Sequence, residues 1–108
     1  MHARLGFRFA ALLAGLAFLG TPAMAQDRAN GEVIAKTWCA GCHVVEGSTP
    51  QFGRTDAIPS FEAVAQMPST TATSLRVFLS TPHARMPDYS LTQREINDVS
   101  AYILSLKR

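Results

Sequence analysis

The segment Trp38-Cys39-Ala40-Gly41-Cys42-His43 constrains this chain more than any other, because it holds both cysteines and one of the three histidines. Two thiols three positions apart are close enough to act on one partner. They can close a redox disulfide, supply half of a zinc site, or attach to one edge of something planar. A redox pair of this spacing opens a helix inside a βαβ pattern, and no alternating strand pattern is readable here. Tetrahedral zinc needs four ligands, whereas the remaining histidines are His2, near the start, and His83, far downstream.

The histidine that directly follows Cys42 completes the attachment signature for c-type haem. In that chemistry two sulfurs add across the two vinyl groups of one porphyrin edge. The adjacent imidazole reaches the iron, and a neutral nitrogen suits both oxidation states of the metal. Ala40 and Gly41 are small, so the backbone between the cysteines can lie close to a flat ring. Covalent haem on Cys39 and Cys42, with His43 on the iron, is the expected arrangement; disulfide and zinc are the competing ones.

The amino-terminal segment reads as an export signal. Arg4 and Arg8 form a basic start, Phe9 to Gly20 is an uncharged apolar run, and Ala23-Met24-Ala25 gives small residues in A-x-A spacing. Twelve apolar residues fall short of the ~20 that span a bilayer, which disfavours the competing reading of an uncleaved anchor. Cleavage after Ala25 leaves one domain, 26–108, and an oxidising, extracytoplasmic location: the periplasm. Those 83 residues lie near the size at which an apolar core alone gives marginal stability, so a bound cofactor would serve as a staple. Arg4 and Arg8 account for two of the ten basic residues, leaving eight against eight acidic ones. Near-neutral charge with no basic, aromatic-lined stripe gives no footprint for nucleic acid.

The mature chain reads as all-α. Asp27 is placed to cap a helix over 28–37. The stretch 46–60 is loop-like, punctuated by Gly47, Pro50, Gly53 and Pro59. Ser60 precedes a short helical turn that Pro68 stops. Leu75, Phe78 and Leu79 share one face of a further helix ending before Pro82, and count as core. Thr92 and Glu95 form a capping box for the last helix, where Ile96, Val99, Ile103 and Leu106 repeat at helical spacing. Lys107 and Arg108 would complement its C-terminal dipole.

Ser80 to Thr92, with Met86-Pro87 within it, resembles the distal methionine loop of small monohaem class I cytochromes c, and the resemblance extends over nearly all of 26–108. It implies a cytochrome c-like fold in which amino- and carboxy-terminal helices cross and helices and loops wrap one haem. It further implies His43 and Met86 as axial ligands, with His83, Met67 and an open sixth position as competing readings. Gly31, eight residues before Cys39, would allow close crossing at the Ala101-Tyr102-Ile103 turn. The family's Gly-Pro-x-Leu stretch is replaced here by Thr55-Asp56-Ala57-Ile58-Pro59-Ser60-Phe61. The carbonyl that orients His43 is therefore assigned to Pro59, with Pro50 as rival, and Arg54 is the candidate propionate partner. Trp38 is expected to pack at the haem edge.

The implied function is electron shuttling without catalysis by a monomeric, haem c-bearing periplasmic protein at positive potential, since thioether ligation and a dry haem favour ferrous iron. Redox proteins would dock transiently at the exposed haem edge, with Arg76, Arg85 and Arg94 as a possible local patch. The competing functions are a fixed cytochrome subunit of a dehydrogenase or oxidase, and a haem-based ligand sensor or peroxidase-like protein. The export signal gives a direct test: the intact mass of exported protein should correspond to a chain beginning at Gln26, and a mass retaining residues 1–25 would make the leader an anchor.

Overall fold

The computed structural model describes residues 26–51, 53, 56–82 and 85–108. Among them the chain forms four α-helices and no β-strand: α1 Arg28–Ile34, α2 Phe61–Gln66, α3 Ala72–Leu79 and α4 Gln93–Ser105, with a π-helical turn Ala35–Cys39 continuing α1. The leader 1–25, Arg54 and His83 lie outside the described residues.

Each helix starts where a side chain takes up free backbone N–H groups. Asp27 accepts from Asn30 N–H at 3.0 Å, and Ser60 accepts from Ala63 N–H at 3.0 Å. Thr71 and Ser74 bond reciprocally at the start of α3, a box that sequence reading overlooked because serine stands where Glu or Gln is usual. Thr92 and Glu95 close the expected box on α4. Hydrogen bonds from the Thr92 backbone N–H and then its hydroxyl hold the Glu95 carboxyl below the usual carboxylate range.

The first helix does not end at Thr37 as expected. The Thr37 hydroxyl donates to the Val33 carbonyl at 2.7 Å, and the Ala40 N–H reaches back five residues to the Ala35 carbonyl at 3.0 Å. A side chain bonding into the helical ladder bends or widens it, and single widened turns of this kind recur at functional sites. The consequence is directional. Ala35 and Cys39 are buried in the core, while Trp38 between them is 51% exposed.

α4 packs most extensively on α1. The contact is between backbones: a Cβ on Gly31 would overlap the Asp98 carbonyl and come 2.9 Å from Val99 N. The crossing thus lies one turn earlier on α4 than the Tyr102 position expected from sequence. Tyr102 is instead buried beside Phe61, their ring centroids 6.4 Å apart. Burial, with Glu32 and Glu46 adding to it, pushes its phenol above the ordinary value. Beside the crossing, the buried Asp98 carboxylate accepts the Asp27 N–H and the Asn30 side-chain amide, both at 2.8 Å. It therefore ties the start of α1 to the middle of α4.

Ile96, Val99 and Ile103 are buried as the helical stripe requires, but Leu106 is the half-buried C-cap. Lys107 and Arg108 directly follow the C-cap. Arg108 pairs with Glu62 on α2 at 2.8 Å, both exposed, and Gln66 donates to the Leu106 carbonyl at 3.0 Å.

The crossing yields a prediction. Gly31→Ala forces a methyl group against backbone that has no rotamer to change. Overpacking typically costs ~1–3 kcal/mol, and the upper end is expected here. Urea denaturation of the holoprotein measures it; an unchanged midpoint would contradict the crossing geometry.

Candidate functional site

The π turn delivers Cys39 to the start of a tight loop. The N–H groups of Cys42 and His43 both bond the Cys39 carbonyl, at 3.2 and 2.9 Å, so the two cysteines and the histidine hang from one turn. The two sulfurs are not joined in a disulfide; Cys39 is buried and Cys42 is partly buried. Burial pushes the Cys39 thiol up to about 11, favouring the neutral form. The leading cysteine of a redox pair instead has a lowered value that makes it a thiolate. Among the described residues, no group of three or more His, Cys, Asp or Glu side chains could hold a metal ion. Neither competing reading of the motif gains support from its surroundings.

His43 is oriented from its far side. Its Nδ1 lies 2.7 Å from the Pro59 carbonyl oxygen. A carbonyl can only accept, so Nδ1 carries the proton and Nε2 keeps its lone pair for a metal. Of the two prolines weighed from sequence, Pro59 makes this contact, while the Pro50 carbonyl accepts from Gly53 N–H at 3.1 Å. The approach of Pro59 has local causes. Phe61 N–H bonds the Val44 carbonyl at 3.0 Å, pinning the start of α2 beside the residue after His43. Between them the chain reverses at Gly47 and Gly53, with φ of 72° and 78°, values that a side chain would strain. Phe61 also flanks the imidazole, with ring centroids 5.3 Å apart.

An open cleft lies beside the motif, lined among others by Trp38, Cys39, Phe78, Leu79, Met86 and Val99. Two elements form its outer wall, α3 and the segment carrying Met86 and Pro87 toward α4. Here the expected core face of α3 requires correction. Leu75 is buried and Leu79 partly so, but Phe78 is 46% exposed because it faces the cleft. Trp38 is likewise at the rim, its ring 5.5 Å from that of Tyr89. Met67, the rival methionine, is 41% exposed at the C-cap of α2 and is not among the cleft's lining residues. Met86 is the methionine that shares the cleft with the first cysteine. Half-exposed aromatic walls around a buried thiol suit a flat, apolar group that covers them, and the freed Nε2 of His43 and the sulfur of Met86 are a nitrogen and a soft donor of the kind iron accepts in haem proteins.

Sequence reading missed Asp98 and the Trp38–Tyr89 pair. An acidic residue between Ile96 and Val99 carries no local signal of burial, because its partners lie 68 and 71 positions away.

Comparison with known proteins gives the chain's relatives. The sequence matches the cytochrome c family model over residues 28–107. It is 38% identical over 107 residues to cytochrome c-552 of Bradyrhizobium diazoefficiens, the match covering 99% of each chain. No solved structure matches it significantly.

Proposed function

The chain belongs to the cytochrome c family and transfers electrons through a covalently bound c-type haem; from this premise we propose that it is a single-electron shuttle with Cys39 and Cys42 as the thioether anchors and His43 and Met86 as the axial ligands. The observation that carries the assignment is the pairing of a fixed imidazole, Nδ1 bonded to Pro59 at 2.7 Å, with a cleft shared by Cys39 and Met86.

When bound, haem supplies an iron centre that accepts and releases one electron. The residues around it do the rest. Thioether bonds from Cys39 and Cys42 would hold the group to one turn of chain and prevent its loss. The Pro59 carbonyl fixes the His43 tautomer and ring direction, and by polarising Nδ1–H makes Nε2 a stronger donor. Met86 brings a thioether sulfur, which favours the ferrous state and a positive potential. Phe78, Leu79 and Val99 line the cleft and would exclude water from a haem seated there, reinforcing that preference. The role proposed for the protein is therefore that of a shuttle, with redox proteins docking briefly at the open rim.

Location follows from the leader: cleavage after Ala25 would release a monomer into the periplasm. No helix among the described residues is long and apolar enough to cross a membrane.

Two measurements on the holoprotein test this assignment. Denaturation in acidic organic solvent should leave haem on the polypeptide; haem that partitions into the solvent would remove the thioethers. Ferric protein should show the weak far-red sulfur-to-iron charge-transfer band, which Met86→Ala abolishes while Met67→Ala and His83→Ala retain it. Met86→Ala should also lower the potential and admit carbon monoxide to the ferrous iron. A band that survives Met86→Ala would refute the ligand, and ready carbon monoxide binding by the unsubstituted protein would favour a ligand sensor.

A further inference from the structure

Trp38 and Tyr89 both line the cleft. Trp38 directly precedes Cys39, and Tyr89 follows Met86 by three residues; their rings lie 5.5 Å apart, tilted by 42°. Both side chains are about half exposed, 51% and 46%, so neither is placed by burial in the core.

Each is set in position by an unusual piece of backbone. On one side, the π turn points Trp38 to the rim while Cys39 turns inward. On the other, Asp88 Oδ1 accepts the Ser90 N–H at 2.8 Å, and Ser90 adopts φ 52°, a left-handed conformation that non-glycine residues rarely hold. Pro87 restricts the residue ahead of this turn, and Leu91 behind it packs on the core. The result is a stiff loop whose aromatic side chain reaches back to the cysteine segment. Local strain of this kind persists where surrounding contacts hold it.

We propose that Trp38 and Tyr89 act together as positioning residues for Met86: their ring contact holds the methionine segment against the cysteine turn and sets how readily an outside ligand displaces the sulfur from iron. The inference rests on Met86 as the axial ligand. Displacement requires the Met86 segment to swing away, so the apparent affinity for an outside ligand scales with the fraction of molecules in which it has done so. A ring pair of this geometry contributes enough that its loss raises that fraction about twofold to tenfold.

Imidazole is a suitable probe, titrated into ferric holoprotein and followed by loss of the far-red band. Tyr89→Ala and Trp38→Ala should each lower the apparent Kd about twofold to tenfold. The double variant should fall no further than the stronger single one, since either change removes the same contact. Tyr89→Phe keeps the ring and should bind imidazole as the unsubstituted protein does. Should Trp38→Ala fail to mature, the Tyr89 pair of variants decides alone, because Tyr89 is half exposed and lies outside the helices. An unchanged Kd in Tyr89→Ala, a Tyr89→Phe variant whose Kd falls as far as that of Tyr89→Ala, or singles whose effects multiply in the double variant would overturn the latch while leaving Met86 as ligand. Absence of the far-red band from the unsubstituted protein would overturn the ligand and the latch together.

Discussion

The backbone contact between α1 and α4 at Gly31 governs where everything else can be. Because no side chain intervenes there, the Asp98 carbonyl can approach α1 directly, and the Asp98 carboxylate then receives the Asp27 N–H and the Asn30 amide. A buried carboxylate is costly unless its oxygens are bonded, so this pairing fixes α1 in register as well as in distance. With α1 anchored, the chain that leaves it must emerge on one side of α4. The π turn then rotates Cys39 toward Val99 and sends Trp38 to the rim. Moving the crossing by one turn of helix would carry the cysteines away from the segment that bears Met86.

The core built on this crossing is small. Ile34, Ala35, Phe61, Leu75, Val99, Tyr102 and Ile103 belong to it, yet Phe78, Trp38 and Tyr89 remain about half exposed around the cleft. Such a domain, of 83 residues if the leader is removed, sits close to the limit for an apolar core unaided. Covalent haem couples function to stability at this point, because a group that binds only the folded chain adds its binding free energy to folding. The same apolar lining that dries the iron site would also hold the helices together.

Local chemistry was legible in the sequence, and long-range chemistry was not. Caps at Asp27, Ser60 and Thr92 could be read because a side chain and the N–H it satisfies lie within three residues. The CxxCH motif could be read because its spacing is itself the chemistry. The assignment of Met86 and Pro59 came from resemblance, and the 2.7 Å contact at Pro59 depends on loops whose path no periodicity encodes. Phe78 shows the opposite limit: helical spacing identifies an apolar face but cannot tell a core wall from the wall of a cofactor cleft. The widened turn at Ala35–Cys39 was also beyond reach, since Thr37 in a helical stretch reads as an ordinary surface residue until its hydroxyl is seen on Val33.

Sulfur ligation by Met86 is the claim on which the reading of the cleft converges, and proton resonance of the ferrous holoprotein tests it most directly. A methyl group bound above a haem face is moved far upfield by the ring current, and selective methionine labelling tells which of Met67 and Met86, the two methionines after Ala25, is responsible. The account predicts one strongly shifted methyl, assigned to Met86, with the Met67 methyl in its ordinary range. A shifted methyl belonging to Met67, or no shifted methionine methyl at all, would contradict it.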